Sequence, residues 1–508
     1  MTVLMVPAMK PYSPMIWRDR LFFLLAVGML SACTVGPDFV APTAPEVNSY
    51  TSAALATQTM TADGRAQSFS QDTQLPAHWW RLFNSEALDA TVQQALAQNP
   101  TLQAATASLR QSQNDLRAGN GVFFPWLAAD LGAERARNAP LINGSSSTGT
   151  LFNVVTASAT ISYPLDLFGG ERRAVEGLAA QVEQQRFLSK AAYLTLSANV
   201  VNTCIARAAY AAQIEASEQL IALQQEQLSS IEVQVRSGTQ AYANVLSQRS
   251  LIAANQALLA PLTQKMNQAD HLLALLEGST PAQATLPTIA LDSLQLPLQL
   301  PLSLPSALVR QRPDILAAEA QLHVASANVG VATAAMFPSL SLSASYGNAG
   351  SSLGNLLDHG EVFWSVGPSL TAPLFQGGSL RYKRNAATDA YEAQLANYRL
   401  TVLSAFEQVA DALKALQHDA QALQAQFEAR TAAAAALVLL QANYRAGLVA
   451  YVEVLSADVQ LHNASIAYLQ AVAQRHQDTV ALFVALGGGW WNSSSSDSSS
   501  AGEQEQTP

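Results

Sequence analysis

Charge is scarce in this sequence. Only 13% of its 508 residues are charged, the net charge is −10, and no patch or stripe of Lys and Arg interrupts the chain. That excludes a nucleic-acid partner, because phosphates require clustered cations. Long apolar runs are missing as well. Beyond the N-terminal region no stretch approaches the roughly 18 apolar residues of a membrane-spanning helix. The seven histidines, at 78, 271, 323, 359, 418, 462 and 476, are scattered. None forms an HExxH or other clustered ligand spacing, so no metal or other cofactor is expected. No G-x-S-x-G elbow and no Walker loop occurs. Gly144 to Gly149 lacks the following Lys and reads as a flexible surface loop. Arg312-Pro313-Asp314 reads as a helix start, with Pro in the first turn and Asp at the positive end, rather than as a catalytic triplet. No enzyme is expected.

Only two cysteines occur, Cys33 and Cys204. Lys10, Arg18 and Arg20 precede the apolar run Leu21 to Ala32, the charge-then-apolar order of a secretory signal. The run ends at Leu30-Ser31-Ala32-Cys33, which looks like a lipobox. The expectation is a signal peptide over 1–32, acylation of Cys33, and an extended linker over 33–76. Cys204 then has no partner and reads as a small buried apolar residue. Residues 492–508 are serine-rich and too polar to fold alone.

The rest of the chain is written twice. Asn99-Pro100 to Pro125 reads much like Arg312-Pro313 to Pro338, and Leu167-Phe168-Gly169-Gly170 recurs as Leu374-Phe375 with Gly377-Gly378. Arg236-Ser237-Gly238 recurs as Arg445-Ala446-Gly447, and Leu276-Glu277-Gly278 near Leu486-Gly487-Gly488. Two copies of about 200 residues are far longer than a solenoid repeat, so this is a duplication. The repeats span 77–290 and 304–491, joined by a linker over 291–303.

Each copy starts with a helical pattern, Ser85 to Gly121 or Pro305 to Met336, and breaks at Pro125 or Pro338. Strict alternation follows. Leu127, Ala129, Leu131 and Ala133 oppose Asp130 and Glu134; Val155, Ala157, Ala159, Ile161 and Tyr163 alternate with Thr156, Ser158, Thr160 and Ser162. The second copy repeats this in Ser339 to Tyr346 and in Trp364 to Ala372. Period two predicts strand pairs over about 124–167 and 338–375, apolar on one side and polar on the other. With flanking Phe123, Phe124, Trp126, Phe168, Phe337, Trp364 and Phe375, this matches the weak signature of a transmembrane barrel. Four strands cannot close a barrel, since about 8 is the smallest useful number, and an open edge in lipid leaves backbone groups unpaired. The chain is therefore expected to oligomerise.

Very long helices come next. No proline occurs from Glu171 to Arg236, or from Ser379 until the final residue. About 65 residues of helix would span on the order of 100 Å. Apolar residues at spacings of three and four, such as Leu403, Phe406, Ala410, Leu413, Leu416, Ala420 and Leu423, predict coiled-coil-like packing. Gly238 and Gly447 end the long helices, and return helices run over about 243–276 and 452–486. Pro261 is expected to kink or break the first of these.

These features together resemble the TolC-type outer-membrane factors, in the NodT branch of lipoproteins that serve RND efflux pumps. The carrying residues are the lipobox at Cys33, Trp79-Trp80-Arg81-Leu82-Phe83, Leu304-Pro305-Ser306 through Asp314-Ile315 and Ala318-Glu319-Ala320, Val329-Gly330 to Phe337-Pro338, Pro373-Leu374-Phe375 with Gly377-Gly378, and Ala485-Leu486-Gly487-Gly488-Gly489-Trp490. The likeness covers roughly residues 30 to 491. It implies a mixed α and β membrane fold: a homotrimer whose subunits each give four strands to a 12-stranded barrel over a periplasmic α-helical tunnel. Its partners would be outer-membrane lipid, a periplasmic adaptor and an inner-membrane RND pump, and its role passive conduction of small molecules from the pump to the exterior. A type I protein-secretion duct shares that architecture, and a coiled-coil spacer lipoprotein would explain the helices but not the strands. By resemblance, Thr34 favours the outer membrane; Glu453, with Asp458, Asn244 and Ser456, belongs to a periplasmic gate; Arg236, Gly238, Arg445 and Gly447 border an adaptor-docking tip. Pro125, Pro338, Gly169, Gly170, Gly377 and Gly378 mark barrel-to-helix junctions.

Overall fold

The structure, a computed structural model, describes residues 34–52, 56–71, 73–137, 150–359 and 361–492. The signal segment, Cys33, the Gly144 to Gly149 loop and the serine-rich tail lie outside them. The chain divides into two compact units, one of Met1–Ala41, Arg110–Glu183 and Ala320–Ala396, the other of Pro42–Leu109, Gln184–Glu319 and Asn397–Pro508. Each unit takes chain from both copies of the repeat.

The duplication is exact in its long elements. In the first copy, helices α1 (Glu86–Gln98) and α2 (Pro100–Gly119) lead to strands β2 (Trp126–Arg137) and β3 (Leu151–Leu165). Then come α3 (Gly170–Arg236) and α4 (Tyr242–Leu276). In the second copy α5 (Pro305–Gln311), α6 (Pro313–Ala334), β5 (Ser339–Gly350), β6 (Glu361–Thr371), α8 (Ser379–Arg445) and α9 (Tyr451–Ala485) repeat the order, with the short α7 (Leu353–His359) between the strands. The long helices α3 and α8 have 67 residues each, and the return helices α4 and α9 have 35 each. At 1.5 Å per residue, the longer pair measure about 100 Å along their axes.

Prolines explain where the leading helices split. Pro100 and Pro313 bar helical geometry in the residue before them, so Asn99 and Arg312 are extended and the next helix starts at the proline. Both extended residues then perform the same task. Asn99 Nδ2 donates to the carbonyl of Leu276 at 2.8 Å, the last residue of α4, while Arg312 Nη1 donates to Ala485 at 2.9 Å, the last residue of α9. Each return helix thus has a terminal carbonyl satisfied by the start of its own repeat. Asn99 Oδ1 also accepts from the backbone of Thr101 at 2.8 Å, capping α2. Asn99→Ala removes both bonds, and thermal unfolding of the purified protein should report a loss of about 1–3 kcal/mol.

The core of the second unit gathers around the Trp79–Phe83 turn. Trp79, Trp80 and Phe83 are fully buried among Leu88, Val200, Ile205, Leu413 and Phe483. Trp80 Nε1 donates to Asp89 at 2.7 Å, which lets the indole enter the core with its polar atom satisfied. Cys204 is buried here as expected, and burial pushes its thiol up to about 12.

Three expectations need correction. Helix α4 passes through Pro261 without a break. Proline forfeits one hydrogen bond there, and the packing of a 35-residue hairpin arm outweighs it. On α8 the buried stripe is Val402, Ala405, Val409, Leu413, Leu416, Ala420 and Leu423, while Leu403 is 65% exposed. Upstream of Leu413 two neighbouring faces satisfy the same spacing, and the expected stripe followed the wrong one. The stretches read as linkers are folded in. Residues Ser68–Ser70 (β1) pair in parallel with Gln299–Pro301 (β4), and Ala62, Gln67, Leu294 and Leu300 are buried. In the first unit, Thr34 to Phe39 is likewise docked. The amide of Val35 donates to Phe168, Arg173 pairs with Asp38 at 2.6 Å, and Phe39 stacks on His323 at 4.3 Å. At Gly36 a side chain would lie 2.5 Å from the Gly330 backbone, so two glycines allow this close approach.

Candidate functional site

Two surfaces of the chain have the chemistry of a function. The first is the antiparallel sheet β2-β3-β5-β6 in the first unit. Its register lines up the alternation of all four strands. Leu127 pairs with Ile161, Ile161 with Ala344 and Ala344 with Val366. Next on that side come Ala129, Ala159, Tyr346 and Trp364, then Leu131, Ala157, Asn348 and Val362. The opposite side carries Ala128, Thr160, Ser345 and Ser365, with the two serine hydroxyls 2.8 Å apart, then Asp130, Ser158, Gly347 and Phe363. One side is therefore mostly apolar from the junction to the middle of the sheet, with Asn348, Arg135 and Arg137 towards its far end, and a one-residue slip of any strand would have mixed the two sides.

Among the described residues, large apolar side chains on that side are left open. Leu127, Leu131 and Trp364 are 70%, 72% and 71% exposed. Strands β2 and β6 each have one neighbour, so both sheet edges keep a row of unpaired backbone donors and acceptors. In water such a surface would aggregate; in lipid the apolar side is at home but the edges are not.

The junction residues occupy the ends of the strands. Pro125 and Pro338 immediately precede β2 and β5, where a missing N–H is harmless. Gly169 (φ 79°), Gly377 (φ 58°) and Gly378 (φ 83°) take left-handed backbone where the returning strands turn into α3 and α8, and Gly170 opens α3. Of the aromatic residues, Phe168 stacks on Phe337 at 4.8 Å, and Phe124, Trp126 and Phe375 are exposed at this same end. Trp364 is instead opposite Tyr346, three rows further along, so it does not share their level.

The second surface lies at the turns between the long and return helices. Both turns have one construction. Gly238 (φ 75°) and Gly447 (φ 73°) end α3 and α8, and the amides of Thr239 and Leu448 reach back to Gln234 and Asn443. Only a left-handed residue closes this cap, which is why glycine recurs. Arg236 and Arg445, each the last residue of its helix, are exposed beside the glycines. Glu453 lies exposed in the first turn of α9, and Ser456 is exposed one turn on.

Asp458 is not with them. It is 2% exposed, inside the helix packing, and one carboxylate oxygen has no partner there. Burial pushes its carboxyl up to about 6, against a hydrogen bond from Gln227 that acts the other way. Around it runs a polar network that sequence reasoning missed. Tyr451 Oη donates to Gln248 Oε1 at 2.8 Å, Gln248 Nε2 donates to the Gln224 carbonyl at 2.8 Å, and Asn255 donates to Gln224 at 2.9 Å. Asn244 donates to Gln240, which donates to Tyr444 at 2.8 Å. The available signal was a row of glutamines at core spacing, Gln224, Gln227 and Gln248, in helices otherwise lined by alanine and leucine. These bonds tie α3, α4, α8 and α9 together just behind the turns.

Comparison with known proteins places the chain as a whole. The profile of outer membrane efflux proteins matches residues 91–279 and 304–488, one match per copy of the repeat. The chain belongs to the outer membrane efflux protein family. It is 32% identical over 417 residues to the pyoverdine export outer membrane protein OpmQ of Pseudomonas putida, covering 81% of this chain and 87% of that one. It is 31% identical over 476 residues to the toluene efflux pump outer membrane protein TtgI of Pseudomonas putida, covering 92% and 97%. The structure of the outer-membrane channel OprN superposes with a TM-score of 0.80 at 27% identity, covering 90% of this chain and 100% of the other. This outer membrane efflux protein therefore resides in the outer membrane and is the outer-membrane channel component of an efflux system, with the duplicated, mostly helical fold of its relatives.

Proposed function

We propose that three copies of the chain meet edge to edge, close their sheets into one 12-stranded barrel in the outer membrane, and line a periplasmic duct with their helical hairpins. The observation that carries this is the sheet whose apolar side and two edges the described residues leave open. Strand direction agrees with it. β2 leaves the junction and β6 returns to it, so β6 of one copy meets β2 of the next antiparallel, and the ring has no parallel joint. Height agrees as well. The 12 residues of β2 pair along their whole length with β3, giving about 40 Å of ladder. Tilted by about 40°, that spans about 30 Å, the thickness of the hydrocarbon layer. Arg135 and Arg137, on the apolar side at the far end of β2, would reach the outer headgroups.

The duct conducts passively. It takes small molecules from a periplasmic adaptor and an inner-membrane RND pump to the exterior, as a lipid-anchored member of the NodT branch acylated at Cys33. The chain is about equally similar to proteins named for pyoverdine export and for toluene efflux, so its pump, not this component, sets the cargo. The turns of the hairpins form the periplasmic mouth, with Arg236, Gly238, Arg445 and Gly447 facing the adaptor. Glu453 from three copies rings the axis, flanked by Asn244 and Ser456, and draws cations into a narrow closed mouth. Asp458 acts behind it, through packing.

Single-channel recording in planar bilayers tests this. The wild-type protein should form pores of low resting conductance, and Glu453→Ala should raise that conductance severalfold. A protein that forms no pores contradicts the duct. Pores with unchanged currents in the variant remove Glu453 from the gate.

A further inference from the structure

The four strands of the sheet hold five charged residues: Asp130, Glu134, Arg135 and Arg137 on β2, and Glu361 at the start of β6. The register sorts them by sign. Asp130 and Glu134 pair with Ser158 and Val154 on the polar side, and Glu361 shares that side through Ala349 and Thr156. Arg135 pairs with Asn153 and Arg137 with Leu151, on the side of Leu127 and Ile161. Every carboxylate of the four strands thus faces away from the apolar side, and both guanidiniums are on it.

The position of the cations along the strand is equally specific. On this side β2 presents Leu127, Ala129, Leu131 and Ala133, and then Arg135 and Arg137. Beside it β3 presents Ile161, Ala159, Ala157 and Val155, and then Asn153. The two arginines come eight and ten residues beyond Leu127, about 27 and 34 Å along the ladder. At a tilt of about 40° they stand about 21 and 26 Å above the level of Leu127, where the outward apolar band of a barrel, about 25 Å tall, ends. A guanidinium is strongly disfavoured at the middle of that band and tolerated at its boundary. Both arginines are exposed, and among the described residues neither makes an ion pair or a side-chain hydrogen bond.

We propose that Arg135 and Arg137, with Asn153, form a phosphate-binding rim for the lipopolysaccharide of the outer leaflet. This rests on the closure of the sheets into a barrel, which turns the end away from the long helices toward the exterior. The lipid there is a glycolipid with phosphates on its sugar headgroup. A guanidinium fork matches phosphate oxygens in pairs. Residues i and i+2 of a strand are about 6.8 Å apart, so two forks on long side chains reach one headgroup. Asn153 is exposed opposite Arg135 and adds an amide donor. A phospholipid with a single phosphate engages one fork, and a bisphosphorylated sugar engages both. With the carboxylates of the strands kept on the bore side, none of them opposes the anion.

Native mass spectrometry on the intact protein in detergent tests the rim, with bisphosphoryl lipid A as probe. Monophosphoryl lipid A, which has the same acyl chains, and phosphatidylglycerol are the comparators. The wild type should bind the probe about fivefold or more tightly than either. Arg135→Gln combined with Arg137→Gln should weaken the probe about tenfold, and Glu134→Gln, adjacent on the bore side, should leave it unchanged. Planar-bilayer recording on the same samples separates this proposal from the barrel itself, since the double variant should still form pores. If the wild type forms pores yet binds all three lipids equally, the rim is wrong and the barrel stands. Full binding of the probe by a pore-forming double variant has the same meaning. A wild type without pores removes the barrel and the rim together.

Discussion

Replacing Ala157 with Arg should abolish assembly in the outer membrane, while the same change at its neighbour Thr156 should not. The two residues are adjacent in β3, the strand with neighbours on both sides, and lie near the middle of its ladder with β2. Ala157 is on the apolar side, in the row with Leu131 and Val362; Thr156 is on the polar side, opposite Gly132 and Ala349. A lipid-facing Arg near the midplane costs about 2–4 kcal/mol per chain, so three copies face roughly 6–12 kcal/mol together. That exceeds what most assemblies can lose and remain folded. At Thr156 the same side chain would enter the bore of the proposed barrel, where it should reduce conductance and shift selectivity toward anions. Heat-modifiability on gels of outer-membrane fractions reads assembly, and bilayer recording reads selectivity. Equal failure of both variants would mean that the sheet is buried on two sides.

Raising the pH from about 4.5 to about 7 should loosen the packing behind the helix turns, and Asp458→Asn should remove that response. Burial raises the Asp458 carboxyl from 3.8 to about 6 in the folded protein. The folded chain therefore keeps a proton that the unfolded chain gives up between those values. Stability from this group is complete below about pH 4 and is lost as the pH rises through 6, by roughly 3 kcal/mol in all. Hydrogen exchange along the first turns of α9, corrected for intrinsic rates, should show protection at the lower pH and its loss at the higher. The asparagine variant should be protected at both. If instead the wild type is better protected at neutral pH, the carboxylate is stabilised by charge and the account of its burial is wrong.

How far the sequence could be read depended on which physical signal was local. The duplication, the four strands and their facing came directly from residue order, because period two fixes a side for every residue once the register is right. Glycine and proline at the junctions and turns were equally legible, since backbone geometry leaves few alternatives at Gly238, Gly447 or Pro338. Signals that depend on a distant partner were not. Leu403 and Val402 compete for one face of α8, and only the packing of the neighbouring helices decides between them. The parallel pairing of Ser68–Ser70 with Gln299–Pro301 joins two stretches that each read as a linker. Asp458 sits five residues from Glu453 and reads as its companion, yet that spacing turns it toward the Gln227 network.

The central claim is that β6 of one copy pairs with β2 of the next, and cysteine cross-linking tests it most directly. Within one chain two strands separate β2 from β6, about 14 Å at the spacing of neighbouring strands, so no disulfide can join them internally. Cysteine at Ala128, combined in turn with cysteine at Ser365, Gly367 and Ser369 on the same polar side, should yield, for the pair in register, covalent dimers and trimers and nothing larger. Monomers at every position, or a ladder that continues beyond three, would contradict it.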